Sequence, residues 1–157
     1  MTVLYFLDTN ILIYAALGKE QEEKKRRRAA ELMSASPFCT SAQVLQEFYI
    51  VATRPERKVR LSEASALEWI ELLEAQPCAA ITASLVKNAV LISLRYKISY
   101  WDGAIIAAAE ALGASILYTE DLNHGQVYGT VAAINPFLDK PAQPGFHDSK
   151  QTVLTKD

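Results

Sequence analysis

The sequence predicts an α/β fold built on a parallel sheet of five strands. Three observations carry this. Short apolar runs rich in β-branched and aromatic residues, such as Val3-Leu4-Tyr5-Phe6-Leu7, read as strands buried on both faces. They alternate with longer stretches of helical period, the pattern of a parallel sheet with helical crossovers. The chain has 157 residues, half of them hydrophobic, enough for one domain that buries roughly 70% of its unfolded surface.

The first strand ends at Asp8, and either Thr9 or Asn10 is placed to cap a helix through about Leu17. Ligand sites in open α/β sheets lie beyond the carboxyl ends of the strands, so Asp8 stands where a reactive carboxylate belongs. After Gly18, acids precede bases in the pairs Glu20–Lys24, Glu22–Arg26 and Glu23–Arg27, which favours a helix from Lys19 to Met33. Its basic run, Lys24, Lys25, Arg26, Arg27 and Arg28, is either an RNA-backbone contact or a solvated helix face.

Pro37 to Thr40 is a short second strand, and Ser41 caps a helix through about Thr53. Glu47 sits within its apolar stripe, among Val44, Leu45, Phe48 and Val51. A carboxylate buried there needs an arginine, a helix cap or a metal ion. Pro55 breaks the following loop, which carries a second basic cluster at Arg54, Arg57, Lys58 and Arg60. Ser62 opens an amphipathic helix with Leu67, Ile70 and Leu73, whose acids Glu63, Glu68, Glu71 and Glu74 read as surface residues. Cys78 to Ile81 is the third strand, and Thr82 or Ser84 caps the next helix.

Ser99 caps an alanine-rich helix with Asp102 in its first turn, where free N–H groups and the helix dipole favour an anion. Gly113 is its natural terminator. Ala114 to Thr119 is the fourth strand, followed at its carboxyl end by Glu120-Asp121, which repeats the arrangement at Asp8. Val131 to Ile134 is the fifth strand, closed by Asn135-Pro136-Phe137. From Leu138 onward the sequence is aperiodic, so residues 1–138 are read as one domain and 139–157 as a flexible tail.

Bulk properties narrow the function. Net charge is −2, so nucleic-acid contact requires a local basic patch. Cys39 and Cys78, the two cysteines, suit buried thiols in a reducing compartment better than a disulfide framework. The longest apolar run, Ile11 to Leu17, is far shorter than the ~20 residues that span a bilayer. These features suggest a cytoplasmic protein with no membrane segment. Asp8, Glu47, Asp102 and Asp121 fall at or near element ends, so the fold gathers four acids. Carboxylates at ~4–6 Å raise one another's pKa unless a cation intervenes. Oxygen ligands with few histidines suit Mg²⁺ or Mn²⁺.

Phe6-Leu7-Asp8-Thr9-Asn10-Ile11-Leu12, Glu47 in Val44-Leu45-Gln46-Glu47-Phe48, Asp102 after Tyr100-Trp101, Thr119-Glu120-Asp121-Leu122 and Asn135-Pro136-Phe137 together resemble the PIN domain, and more narrowly the VapC-type toxins of bacterial toxin–antitoxin pairs. The resemblance covers about residues 1–138. It implies a three-layer α/β/α fold with strand order 3-2-1-4-5. The implied activity is Mg²⁺- or Mn²⁺-dependent endoribonuclease, with Asp8, Glu47, Asp102 and Asp121 as the acidic quartet. Asp102 or Asp121 would orient the attacking water, and hydrolysis would leave a 5′-phosphate and a 3′-hydroxyl. Asn10, Thr119 and Asn123 would support the site. Many members carry a further acid where this chain has Asn123, so a second metal is expected to bind weakly or only with substrate. Glu120 is a weaker candidate ligand, and His124 reads as a turn residue rather than a general acid. The resemblance also implies a cognate antitoxin over the acidic cleft and a homodimer.

Two other readings compete. One is a catalytically idle PIN-like module that binds RNA or a partner, against which the intact quartet argues. The other is an Asp-x-Asp phosphatase, which lacks its second acid because Asn10 stands there. There is no glycine-rich phosphate loop and no His-Glu-x-x-His zinc motif.

Overall fold

The computed structural model describes residues 3–19, 22–35 and 37–138. The element order is β1 (Tyr5–Leu7), α1 (Thr9–Leu17), α2 (Glu23–Ala35), β2 (Phe38–Ser41), α3 (Ala42–Ala52), α4 (Glu63–Glu74), β3 (Cys78–Ala79), α5 (Ala83–Tyr96), α6 (Tyr100–Ala111), β4 (Ile116–Tyr118), β5 (Val127–Tyr128) and β6 (Val131–Ile134). The strands form one sheet in the order β3-β2-β1-β4-β6-β5. Its first five members run parallel, in the expected 3-2-1-4-5 arrangement with β6 in fifth place.

The sixth strand corrects the expected count. β5 pairs antiparallel with β6, Tyr128 opposite Val131, across the turn at Gly129-Thr130. Gly129 has φ +62° there, a conformation that glycine adopts without strain. Two residues are too few to show an alternating pattern, so β5 left no periodic signal in the sequence.

The sheet is central because its strands are apolar on both sides. Tyr5, Phe6 and Leu7 of β1 and all of β6 are buried. Helix α6 lies on the core through a continuous run from Gly103 to Ala109. Its small residues let α5 approach closely: a Cβ at Gly103 would stand 2.6 Å from the Ala89 carbonyl oxygen. The serine caps act as expected, with Ser41, Ser62 and Ser99 accepting from the N–H of Val44, Ser65 and Asp102. Thr82 caps α5. Gly113 follows the α6 C-cap with φ +73°.

Several details differ from the sequence reading, the third and fourth strands being shorter, at Cys78–Ala79 and Ile116–Tyr118. Asp8 itself caps α1, its Oδ1 accepting from the Thr9 N–H at 2.7 Å, so neither Thr9 nor Asn10 does so. Helix α2 begins at Glu23 rather than Lys19. The expected partner Glu20 and the 139–157 tail lie outside the described residues. Among the described residues no helix is long and apolar enough to cross a membrane.

Candidate active site

Strands β1 and β4 are hydrogen-bonded neighbours, with Leu7 opposite Tyr118. The residues just past their ends therefore meet at one edge of the sheet. Asp8 follows β1, and Thr119, Glu120 and Asp121 follow β4. The Asp8 N–H donates to the Tyr118 carbonyl at 3.1 Å and the Thr119 N–H to that of Ile134 at 3.0 Å, which extends the ladder one residue past each strand.

The Thr119 hydroxyl is the hub. It donates to Asp8 Oδ2 at 2.8 Å and accepts from the Asp121 N–H at 3.1 Å and from Asn10 Nδ2 at 3.4 Å. Asn10 Nδ2 also donates to Asp121 Oδ2 at 2.9 Å. One buried threonine thus fixes two acids and an amide. Thr119→Val is expected to destabilise the fold by about 1–3 kcal/mol, because the buried groups it bonds lose their partner. Urea unfolding measures this, and an unchanged midpoint would show that the hub carries no stability.

Glu47 projects from α3 into the same region. Its Oε2 accepts from the Thr9 hydroxyl at 2.8 Å and its Oε1 from Gln43 Nε2 at 2.9 Å. Gln43 Nε2 also donates to the Trp101 carbonyl at 3.3 Å, which ties α3 to the start of α6 where Asp102 sits. Thr9 and Gln43 were not anticipated as site residues. The signal for Gln43 was its place one helical turn before Glu47, on the same face.

Electrostatics link the four acids. Asp8 is only 6% exposed, and its carboxyl is pushed up to about 7, first by loss of water. The Thr119 and Thr9 bonds oppose the shift, and the charges of Asp121 and Glu47 add to it. The Asp102 carboxyl is also raised, first by burial and then by Asp121 and Glu47, against the Ser99 bond.

The donor set is all oxygen, as a hard divalent cation prefers. Asn10 Oδ1 is a buried acceptor with no hydrogen-bond partner among the described residues. The chemistry of these donors fits a hard divalent cation. Among the described residues, no three His, Cys, Asp or Glu side chains are grouped to hold a metal ion.

The remaining candidates divide. Glu120 turns away from the acids: Tyr14 Oη and Lys25 Nζ donate to it at 2.8 Å and 3.0 Å. The Lys25 ammonium also lies over the Tyr14 and Phe137 rings. Lys25 is thereby bound to the site's rim. Arg26 and Arg27 face Glu23, and Arg28 faces Glu31. Asn123 lies in the exposed turn and donates to Gln126. His124 Nδ1 accepts from the Asn135 N–H at 3.0 Å, a turn-stabilising bond. In the second basic cluster, Arg57 Nε donates to the Val59 carbonyl and Arg60 to that of Pro55.

Two depressions open at the acids. One of about 500 Å³ runs from Asn10, Glu47 and Asp121 to Arg54 and Arg57. The other, about 720 Å³, is mainly apolar and is lined by Glu47, Gln43, Tyr49, Ile50, Ile70 and Trp101, among others. Glu47 and Ile50 are common to both.

Comparison with known proteins bears on this arrangement. The family model described as PIN domain matches residues 5–129. No curated protein matches the chain. Solved structures do. VapC20 of Mycobacterium tuberculosis, described as a sarcin–ricin loop cleaving toxin, is 23% identical with a TM-score of 0.58, over 74% of this chain and 89% of that one. A toxin–antitoxin complex from Klebsiella pneumoniae is 20% identical with a TM-score of 0.61, over 86% and 98%. DNA-bound VapBC from Salmonella typhimurium is 19% identical with a TM-score of 0.57, over 84% and 97%.

Proposed function

Because the chain belongs to the PIN domain family, we propose that it is a divalent-metal-dependent endoribonuclease and the toxin of a toxin–antitoxin pair. The observation that carries this reading is the meeting of acids from separate elements at one edge of the sheet, with Asp8 and Asp121 joined through Thr119 and Asn10, and Glu47 joined to them through Thr9. Acids gathered in this way at the carboxyl ends of strands are characteristic of a functional site.

Asp8, Glu47, Asp102 and Asp121 would hold Mg²⁺ or Mn²⁺, with Asn10 beside them. The bound cation supplies Lewis acidity toward the phosphodiester and makes a nearby water a better nucleophile. The chain's own residues do the positioning. Asp102 or Asp121 accepts a hydrogen bond from the attacking water and orients it toward phosphorus. Thr119 holds Asp8 and the Asp121 backbone in place, while Thr9 and Gln43 fix both oxygens of Glu47. Arg54 and Arg57, along the same cleft, are the basic residues best placed for the RNA backbone. Lys24, Lys58 and Arg60 contribute at most to the outer field.

The solved neighbours that come from toxin–antitoxin complexes support a protein antitoxin as partner. A homodimer is part of the same reading. Helix α5 offers a surface for it: Val86, Val90 and Leu94 are exposed at one-turn spacing, Leu94 at 71%. Light scattering on the purified chain reads the dimer directly.

The nuclease is tested by incubating purified protein with structured RNAs, tRNA included, in Mg²⁺, Mn²⁺ or EDTA, beside Asp102→Asn protein. Metal-dependent cuts with 5′-phosphate ends, lost in the variant, are the expected result. RNA binding with no cleavage under any metal would favour the idle binding module instead.

A further inference from the structure

We propose that Trp101 is the specificity element of this nuclease, a stacking platform for one unpaired nucleobase next to the scissile phosphate. The inference rests on the nuclease reading and deepens it, because it names the side chain that receives the base beside the cut.

The first ground is exposure. Trp101 is 64% exposed at the start of a helix whose next turns, Gly103 to Ala109, are wholly buried. Large aromatic side chains lose exposure when they serve the core, and Trp69 of the same chain is partly buried, packing on Phe48. Trp101 contributes no such packing.

The second ground is rigidity. The Trp101 ring meets Tyr100 edge-on, with centroids 5.1 Å apart at 76°. Tyr100 in turn packs on the alanines where α5 and α6 meet. The Trp101 backbone is held by Gln43, whose amide also holds Glu47. A platform whose position is fixed before binding loses little entropy when a base arrives.

The third ground is place. Trp101 directly precedes Asp102 and lines the 720 Å³ depression that reaches the acids through Glu47. The depression brings the side chains of Trp101 and Tyr49 together with the exposed amide of Gln46. An aromatic face with amide donors and acceptors at its margin is how unpaired bases are held, by stacking and by hydrogen bonds to their edges. A paired base within a duplex cannot present its face to Trp101.

The experiment is fluorescence titration in EDTA, where binding is read without cleavage. Wild-type protein is titrated with a short mixed-sequence single-stranded oligoribonucleotide and with the same sequence as a duplex. Trp101→Phe supplies the Trp69 background, and Trp101→Ala removes the platform. Single strands should quench the Trp101 emission and duplex should not. Affinities of all three proteins are read from the anisotropy of an end-labelled strand, since the variants lack the Trp101 signal: Trp101→Ala should weaken single-strand binding by about ten- to a hundredfold, the scale of one base–aromatic stack, while Trp101→Phe stays near wild type. In Mg²⁺ the loss should appear mainly in KM. Equal binding by all three proteins, or equal losses in Trp101→Phe and Trp101→Ala, would overturn the platform. If the panel RNAs are cut while Trp101 emission stays unquenched, the nuclease stands and this inference fails. Quenching by a co-expressed protein partner but not by RNA would reassign the surface to that partner. Absence of both RNA binding and cleavage would sink both readings.

Discussion

Asp8→Asn protein should be more stable than the wild type at pH 8 in EDTA, and inactive. The Asp8 carboxyl is buried and raised to about 7, far above the ordinary 3.8. Between those values the folded chain holds a proton that the unfolded chain releases. Stability therefore falls as pH rises through this window, and the loss is complete above about 7. The amide of asparagine carries no charge to desolvate, so the variant escapes the loss. The full difference is on the order of 4 kcal/mol, about three units at 1.36 kcal/mol each. The Thr119 hydroxyl and the Thr9 N–H both donate to Asp8, and the new amide nitrogen can accept from neither, which trims the gain. Unfolding by urea at pH 5 and pH 8 is the measurement. The variant's advantage should be small at pH 5 and grow toward pH 8. An advantage that does not change with pH would remove Asp8 from this role. Saturating Mg²⁺ should narrow the gap at pH 8, since a cation bound to N alone stabilises the wild type by mass action.

Glu47→Gln is expected to lower metal-dependent RNA cleavage by about a thousandfold, the scale on which a site loses one charge-stabilising group. The exchange keeps shape and removes charge. Glu47 is held at both oxygens, by Thr9 and by Gln43. The glutamine carbonyl can still accept from one of them, so the helix packing of α3 through Val44, Phe48 and Ala52 is untouched. Circular dichroism and the urea midpoint should stay close to wild type, and calorimetric titration should show weakened Mn²⁺ binding. Cleavage at the wild-type rate would refute a four-acid site. A collapse of the midpoint would instead assign Glu47 a structural role, as the tie between α1, α3 and α6.

Much of this protein was readable before folding. The apolar run of β1 and the acid after it, the serine caps at Ser41, Ser62 and Ser99, and the glycine after α6 are all local events. Each depends on residues a few positions apart, through side-chain-to-backbone bonds or a single φ angle. The alternation of strand and helix then fixed a parallel sheet, because parallel neighbours need a helical crossover between them. That was enough to place Asp8 and Asp121 at one sheet edge. It was not enough for β5, whose two residues are held only by pairing with β6.

Tertiary structure alone decided how the acids are held. The bond from Thr9 to Glu47 spans 38 positions, that from Gln43 to Trp101 58, and that from Thr119 to Asp8 111. The same is true of Lys25, which leaves the solvated face that its neighbours share and binds Glu120 across 95 positions. Burial raised the Asp8 carboxyl, and burial is a property of everything packed around a residue. The sequence by itself determined which acids reach the sheet edge, since strand ends and helix caps are short-range. Which of them lose water, and which basic groups stay free to meet a ligand, depended on distant segments brought together by the sheet order.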